Sequence, residues 1–257
     1  MRPRGRTRPD RPELPPRFRV SAGIPAPLWT KRHEDVTDAG GGRRYPRQVA
    51  RRTGQKLLRF DRALGSRLVA GADEAGRGSL AGPLVTAGVL LDYERLRDHR
   101  VRPLALLNDS KQLSPALREE LFRAIVACAE TVSVHVFPAC VIDRDGLHRT
   151  NLRGLREALW ACQPADACLV DGFRLGAAAP PHRAIVDGDE KSAAIAAASV
   201  VAKVTRDRYM RRADALYPQF GFASHVGYIT PGHSAVVRAR GPCEIHRRSF
   251  QALCYRE

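Results

Sequence analysis

The sequence predicts an α/β fold, a mixed sheet flanked by helices, with a small helical lobe at the C-terminal end. Three observations carry this. Short apolar runs of strand length come early and stop at acids or glycines. Later strands alternate with segments of helical period. Residues 218–257 mix short helical pieces with Gly and Pro. A chain of 257 residues, 44% hydrophobic, suffices for a full core, as one large domain or two small ones.

In chain order, Gln55–Ser66 places Leu57, Leu58, Phe60 and Leu64 on one helical face. Leu68–Ala72 is short and apolar and ends in Asp73-Glu74, as a buried strand would. Gly76-Arg77-Gly78 and Gly82-Pro83 break the chain, and Leu84–Leu91 is a second strand. Ser114-Pro115 is an N-cap followed by proline at the first helical position, opening a helix to about Ala129. Thr131–Phe137 has Val at alternate positions, the mark of a half-exposed strand. Leu147–Cys162 returns to a helical period. Ala167–Val170 and Ala184–Val186 are short strands that run into Asp171 and into Asp187-Gly188-Asp189. Ser192–Tyr217 is one long helix, first Ala-rich and then Arg-rich. No internal repeat is present.

The formal charge is +16, and residues 1–56 carry +10 of it, with 15 Lys and Arg against 5 Asp and Glu. They also hold 8 of the 18 prolines and the glycine run Gly40–Gly42. This composition reads as a disordered basic extension. It is either an arm that grips phosphates by releasing counterions or an arginine-rich leader with no specific role. The rest of the chain is still basic, which favours a nucleic-acid partner but names no chemistry. No apolar run approaches the ~18 residues needed to cross a bilayer, and Met1–Arg19 has no apolar core, so no membrane span or secretory signal is expected. The six cysteines form no Cys-x-x-Cys pair and are expected as reduced thiols in the cytoplasm, not as a zinc site.

Acids stand where three apolar strands stop: Asp73-Glu74, Asp171, and Asp187 or Asp189. One acid at a strand end is ordinarily a turn former. Several together are less ordinary, because strand ends in α/β sheets are where sites are built. Two carboxylates ~4 Å apart repel by roughly 4 kcal/mol at an effective dielectric of ~20, so a cluster needs a cation to stay ionised. Oxygen ligands select Mg²⁺ or Mn²⁺ over Zn²⁺. Two such ions suit phosphodiester hydrolysis, one activating water and the other stabilising the leaving oxygen. A nuclease or a polymerase-like enzyme both fit. Asp73 and Glu74 are adjacent, so they serve one site only if the strand ends or bends there. Gly76-Arg77-Gly78 lets backbone and guanidinium approach a phosphate, although a plain turn is the ordinary meaning of such a tripeptide. No Gly-Lys-Ser/Thr follows, so nucleotide triphosphate binding is not expected.

Together these segments resemble ribonuclease HII, type 2 ribonuclease H. The resemblance is carried by Val69–Pro83 (VAGADEAGRGSLAGP), Asn108–Ser114 (NDSKQLS), Leu169–Gly172 (LVDG), Ala197–Asp207 (AASVVAKVTRD), Gly221–His233 (GFASHVGYITPGH) and His246–Phe250 (HRRSF). It spans roughly residues 66–250. It implies a ribonuclease H-like catalytic domain over 57–217 and a helical lobe over 218–257. It also implies cleavage of the RNA strand of RNA/DNA hybrids and incision 5′ of single ribonucleotides in duplex DNA, leaving 3′-hydroxyl and 5′-phosphate ends, as in ribonucleotide removal during replication and repair.

Carried over by position, the catalytic and metal-binding acids are Asp73, Glu74, Asp171 and Asp189, holding two Mn²⁺ or Mg²⁺ ions. Counting back from Ala197-Ala198-Ser199 selects Asp189 over Asp187, which stands where relatives often have lysine. Gly76, Arg77, Gly78 and Tyr228 match the family's reader of the RNA–DNA junction. There the backbone holds the 2′-hydroxyl and the tyrosine packs on the following sugar, consistent with the 2′-OH as the mark of RNA. Lys111, Ser199 and Lys203 are expected phosphate contacts; His246-Arg247-Arg248 either does the same or only anchors the lobe, with anchoring the preferred reading. The resemblance further implies a monomer. Val226 departs from a frequent lysine, Ser79 from a frequent proline, and the basic extension lies outside the match. Two rivals remain at this stage: a nuclease of the same fold acting on DNA junctions, and a basic nucleic-acid-binding protein without catalysis.

Overall fold

The computed structural model describes residues 17–22, 47–97 and 101–255. The strands are β1 Arg17–Ala22, β2 Leu68–Ala75, β3 Leu84–Asp92, β4 Thr131–Phe137, β5 Ala167–Asp171 and β6 Arg183–Ile185. The helices are α1 Arg47–Arg62, α2 Val101–Leu104, α3 Pro115–Cys128, α4 Ala139–Asp145, α5 Leu147–Ala161, α6 Ala193–Leu216, α7 Phe222–His225 and α8 Pro231–Arg240. The strands form one six-stranded sheet in the order β1-β4-β3-β2-β5-β6. β3 runs antiparallel to both neighbours, and the other pairs are parallel. The mixed sheet with flanking helices is the expected class.

Helix α6 packs across one face of the sheet. Its Ala-rich N-terminal half is almost wholly buried. Small side chains let the helix backbone come close to β2, and Gly71 completes the fit: a Cβ there would stand 2.1 Å from the Ala194 carbonyl carbon. Buried Asp61 of α1 holds the start of α6, accepting from the Ala194 N–H at 2.9 Å and from the Tyr93 hydroxyl at 2.7 Å. Helix α5 covers the opposite face with Leu155, Ala158 and Leu159.

That second helix corrects the reading of β4. The strand alternates as the sequence does, but every residue of it is buried. Val132, Val134 and Val136 join the core on the α6 side. His135 Nδ1 lies 3.1 Å from Glu157 of α5, and Ser133 pairs with His135 at 2.8 Å. Alternation reports a polar face, and here partners on a helix satisfy that face where water was expected.

The extension is corrected as well. Residues 17–22, read as disordered, form β1 and pair in parallel with β4, Arg17 opposite Thr131 through Ala22 opposite Val136. Residues 47–56 open α1, which the periodicity had started only at Gln55. A truncation that spares the sheet therefore has to end before Arg17. The remainder of that segment, Gly40–Gly42 included, lies outside the described residues.

The C-terminal residues gather around their own cluster: Phe220, Phe222, Val237 and Cys254 pack with Met210 and Ala213 of α6 and with Leu80-Ala81. His233 and His246 are buried in it. Burial lowers both histidines, His246 to about 4; the His225 ring adds to the lowering of each, and His233 to that of His246. A free histidine titrates near ~6.5. Below that the unfolded chain binds protons that the folded lobe refuses, so stability falls as pH drops from about 6.5 toward 4. Thermal unfolding between pH 7.5 and 4.5 is expected to show a falling midpoint, with a smaller drop in His246→Gln.

Among the described residues no helix is long and apolar enough to cross a membrane. Among the described residues, none of the six cysteines forms a disulfide.

Candidate active site

Strand β2, expected to end in Asp73-Glu74, runs one residue further. It continues through Ala75, with Asp73 opposite Ala87 and Glu74 opposite Thr86. Pairing with β5, however, stops at Ala72–Val170. The two acids therefore border a gap that β5 leaves as it ends at Asp171. They leave the strand on opposite faces, as the pleat requires. Asp73 accepts from Ser199 of α6 and from the Glu74 N–H at 2.7 Å. Glu74 faces Asn151 of α5.

Asp171 accepts the Gly188 N–H at 2.6 Å. That bond ties the end of β5 to the 3-10 turn Gly188–Glu190, which carries Asp189. Asp189 is buried and its Oδ2 lies 3.8 Å from Lys111 Nζ. Asp187 is exposed, in the left-handed conformation at φ 51°. The structure thus turns Asp189 inward and Asp187 outward.

The four carboxyl groups act on one another. Burial raises Asp73 well above the carboxylate range, and Glu74 and Asp171 raise it further. Burial lifts Glu74 to about 7, with Asp171 adding and Asn151 opposing. Asp189 is lifted to about 6 by burial and by Asp109. Asp171 is raised by burial, against the Gly188 N–H and Lys111. Each anion is held in a place that disfavours it. Among the described residues no three acid, histidine or cysteine side chains are grouped so as to hold a metal ion. The donor set nevertheless fits a hard divalent ion. It is all oxygen, and Glu74 Oε2 is buried with no hydrogen-bond partner.

Beside the acids, Gly76 turns the chain at φ +86°, and a Cβ there would meet Arg206 Nε at 1.9 Å. Arg206 is fully buried and donates to the Pro83 and Ala81 carbonyls, each at 3.0 Å. Arg247, also buried, donates to the Gly82 and Arg77 carbonyls at 3.0 and 2.9 Å. Two buried guanidiniums therefore shape the Gly76–Pro83 loop from beneath, so Arg247 anchors as expected. Arg77 rests over the Phe173 ring at 4.5 Å, and Gly78 is exposed. Tyr228 is 39% exposed, with Arg206 at 5.5 Å from its ring. Ser79 is buried, and its hydroxyl has no partner.

The other expected contacts divide. Lys111 is largely exposed beside Asp109 and Asp189. Ser199 sits beneath the acids, bonded to Ser110 at 2.9 Å and to Asp73. Lys203 is tied to Asp207 at 2.6 Å, which also holds Arg118. Asn151, Asp109, Phe173 and Arg206 were not singled out from the sequence. Asp109 and Arg206 lie inside motifs already noted, but nothing marked Asn151 or Phe173 before the fold brought them in.

The sequence profile of the ribonuclease HII family matches residues 70–253. Ribonuclease HII of Salinispora tropica is 48% identical over 209 residues, covering 80% of this chain and 75% of that protein. Ribonuclease HII of Geobacillus thermodenitrificans is 43% identical over 207 residues, covering 79% and 77%. Among solved structures, ribonuclease H2 from Pyrococcus horikoshii OT3 superposes with a TM-score of 0.63 at 28% identity, over 74% of this chain and 95% of that one. The chain belongs to the ribonuclease HII family, and is an endonuclease of the ribonuclease H class.

Proposed function

We propose that this protein cleaves the RNA strand of RNA/DNA hybrids and incises 5′ of single ribonucleotides embedded in duplex DNA, with Asp73, Glu74, Asp171 and Asp189 holding two Mg²⁺ or Mn²⁺ ions. The observation that supports this reading is four buried or half-buried carboxyl groups, each with its proton affinity raised first by burial, around the end of β5 and next to the Gly76–Gly78 loop. Bound there, divalent ions would supply the Lewis acidity that makes water a nucleophile and neutralises the leaving oxygen.

The chain's own residues do the rest. Ser199 and the Glu74 N–H orient Asp73. The Gly188 N–H orients Asp171. Lys111 stands at the rim as a cation for a phosphate. The Gly76–Gly78 backbone, held by Arg247 at the Arg77 carbonyl, offers its amides to a ribose 2′-hydroxyl, a group that is both donor and acceptor. The Tyr228 ring offers an apolar face to the next sugar. The protein acts as a monomer, with the sheet and its helices through α6 as the catalytic domain, β1 and α1 included, and 218–257 as the lobe.

Nick mapping tests this. With Mg²⁺ or Mn²⁺, a DNA duplex holding one ribonucleotide is expected to be cut on its 5′ side, and an all-DNA duplex left whole. Cutting of the all-DNA duplex would favour a DNA-junction nuclease. Tyr228→Ala is expected to lower incision at the lone ribonucleotide about tenfold or more while duplex binding holds. Equal loss of both would make the residue a packing element.

A further inference from the structure

We propose that His225, His233 and His246 form a brace of neutral, tautomer-locked imidazoles that positions Tyr228. The inference rests on Tyr228 packing against the substrate sugar, as proposed above.

Hydrogen-bond chemistry dictates the protonation from both ends. His233 Nδ1 lies 2.9 Å from the Tyr228 carbonyl oxygen. A carbonyl only accepts, so Nδ1 carries the proton and Nε2 of the neutral ring is a bare acceptor. At the far end, the Cys243 N–H reaches His246 Nδ1 at 3.1 Å. An amide only donates there, so Nδ1 is bare and Nε2 carries the proton. The two rings meet Nε2 to Nε2 at 3.0 Å. The deductions made from opposite ends thus agree on one donor and one acceptor at that contact. The wire runs from the Cys243 amide through two imidazoles to the Tyr228 carbonyl.

The third ring braces the same turn. His225 Nδ1 accepts from the Gly227 N–H at 3.2 Å, and its Nε2 donates to the Phe220 carbonyl at 2.8 Å. It stacks on His233 at 4.3 Å between centroids. The turn needs bracing. Val226 is β-branched yet sits at φ 42°, where such residues are strained. The Gly227 carbonyl takes the Leu80 and Ala81 N–H groups at 2.9 and 3.1 Å, clamping the turn to the loop that carries Gly76–Gly78. The brace therefore sets the position of Tyr228 relative to that loop. A proton added to any of the three rings would point an N–H at another N–H. The lowered affinities of His233 and His246 for protons accord with this.

Two measurements on the full chain test it. In long-range ¹H–¹⁵N spectra of ¹⁵N-histidine-labelled protein at pH 7.5, His233 is expected with its proton on Nδ1, and His225 and His246 with theirs on Nε2. His233 protonated on Nε2 would overturn the wire without touching the catalytic reading. The second is a double-mutant cycle on a duplex with one ribonucleotide. His246→Leu is expected to raise KM about tenfold with kcat at saturation retained, and His246→Gln, which keeps a donor, to recover most of the loss. In the Tyr228→Ala background, His246→Leu is expected to add less than about twofold. Full additivity would overturn the positioning role. A Tyr228→Ala variant that incises like the wild type would remove the sugar-reading role and the positioning claim with it, while the spectra would still report the wire.

Discussion

Asp73→Asn is expected to lower metal-dependent hydrolysis about a thousandfold or more, with the fold intact. The side chain is 5% exposed, bonded to Ser199, and flanked by Glu74 and Asp171. Asn keeps the shape but loses the charge that an ion requires. Its effect on stability has the opposite sign from that of an ordinary buried substitution. A carboxylate whose folded affinity for protons is raised is less stable as an anion in the fold than in the unfolded chain. Burial is the first cause here and the neighbouring anions the second. Removing that charge relieves the cost, so without divalent ions the variant is expected to unfold at or above the wild-type midpoint. Added Mg²⁺ or Mn²⁺ is then expected to raise the wild-type midpoint more than that of the variant. Calorimetry with chelator and with metal reads both. An inactive variant with a clearly lowered midpoint in chelator would make Asp73 a structural residue, and a fully active one would remove it from the chemistry.

Gly71→Ala is expected to destabilise the protein by about 3 kcal/mol, the upper end for overpacking. A Cβ at this position would stand 2.1 Å from the Ala194 carbonyl carbon and 2.3 Å from the Ile195 nitrogen. Both are backbone atoms of α6, so no side-chain rotation relieves the clash. The helix would have to lift from β2. Because α6 carries Ser199 beneath Asp73, activity is expected to fall together with stability. Gly65→Ala is the control. Its φ of +69° is unfavourable for alanine, but its Cβ would meet nothing within 4 Å, so the expected cost is about 1 kcal/mol. Denaturant unfolding of the two variants compares them directly. Equal midpoints would show that the α6–β2 approach is looser than its geometry.

Local chemistry made much of this molecule legible in advance. Helix α6 runs Ala193–Leu216 with Ser192 as its cap, one residue inside each end of the expected span, because a capping hydroxyl and a run of small helix formers are local signals. Helix α3 begins at Pro115 behind Ser114 for the same reason. The acids were visible because a charged residue ending an apolar run stands out without any knowledge of its partners. The family resemblance, counted back from Ala197-Ala198-Ser199, preferred Asp189 to Asp187; the fold buries the first and exposes the second.

What required the tertiary structure was every feature defined by a distant partner. Phe18, Val20 and Ala22 do alternate, yet surrounding Arg and Pro dominated that segment; what makes it a strand is its pairing with β4. The polar face of β4 was legible as polar but not as buried, because periodicity cannot report that α5 lies over it. Nothing in the sequence marked Arg206 or said what Arg247 would hold, since the carbonyls that satisfy both belong to a loop far away in sequence. The sequence by itself determined which carboxylates the protein has and which elements carry them. The folded chain alone decided where they are buried, because pairing of β2 with β5 stops at Ala72–Val170 and Asp73 and Glu74 border the gap where β5 ends at Asp171.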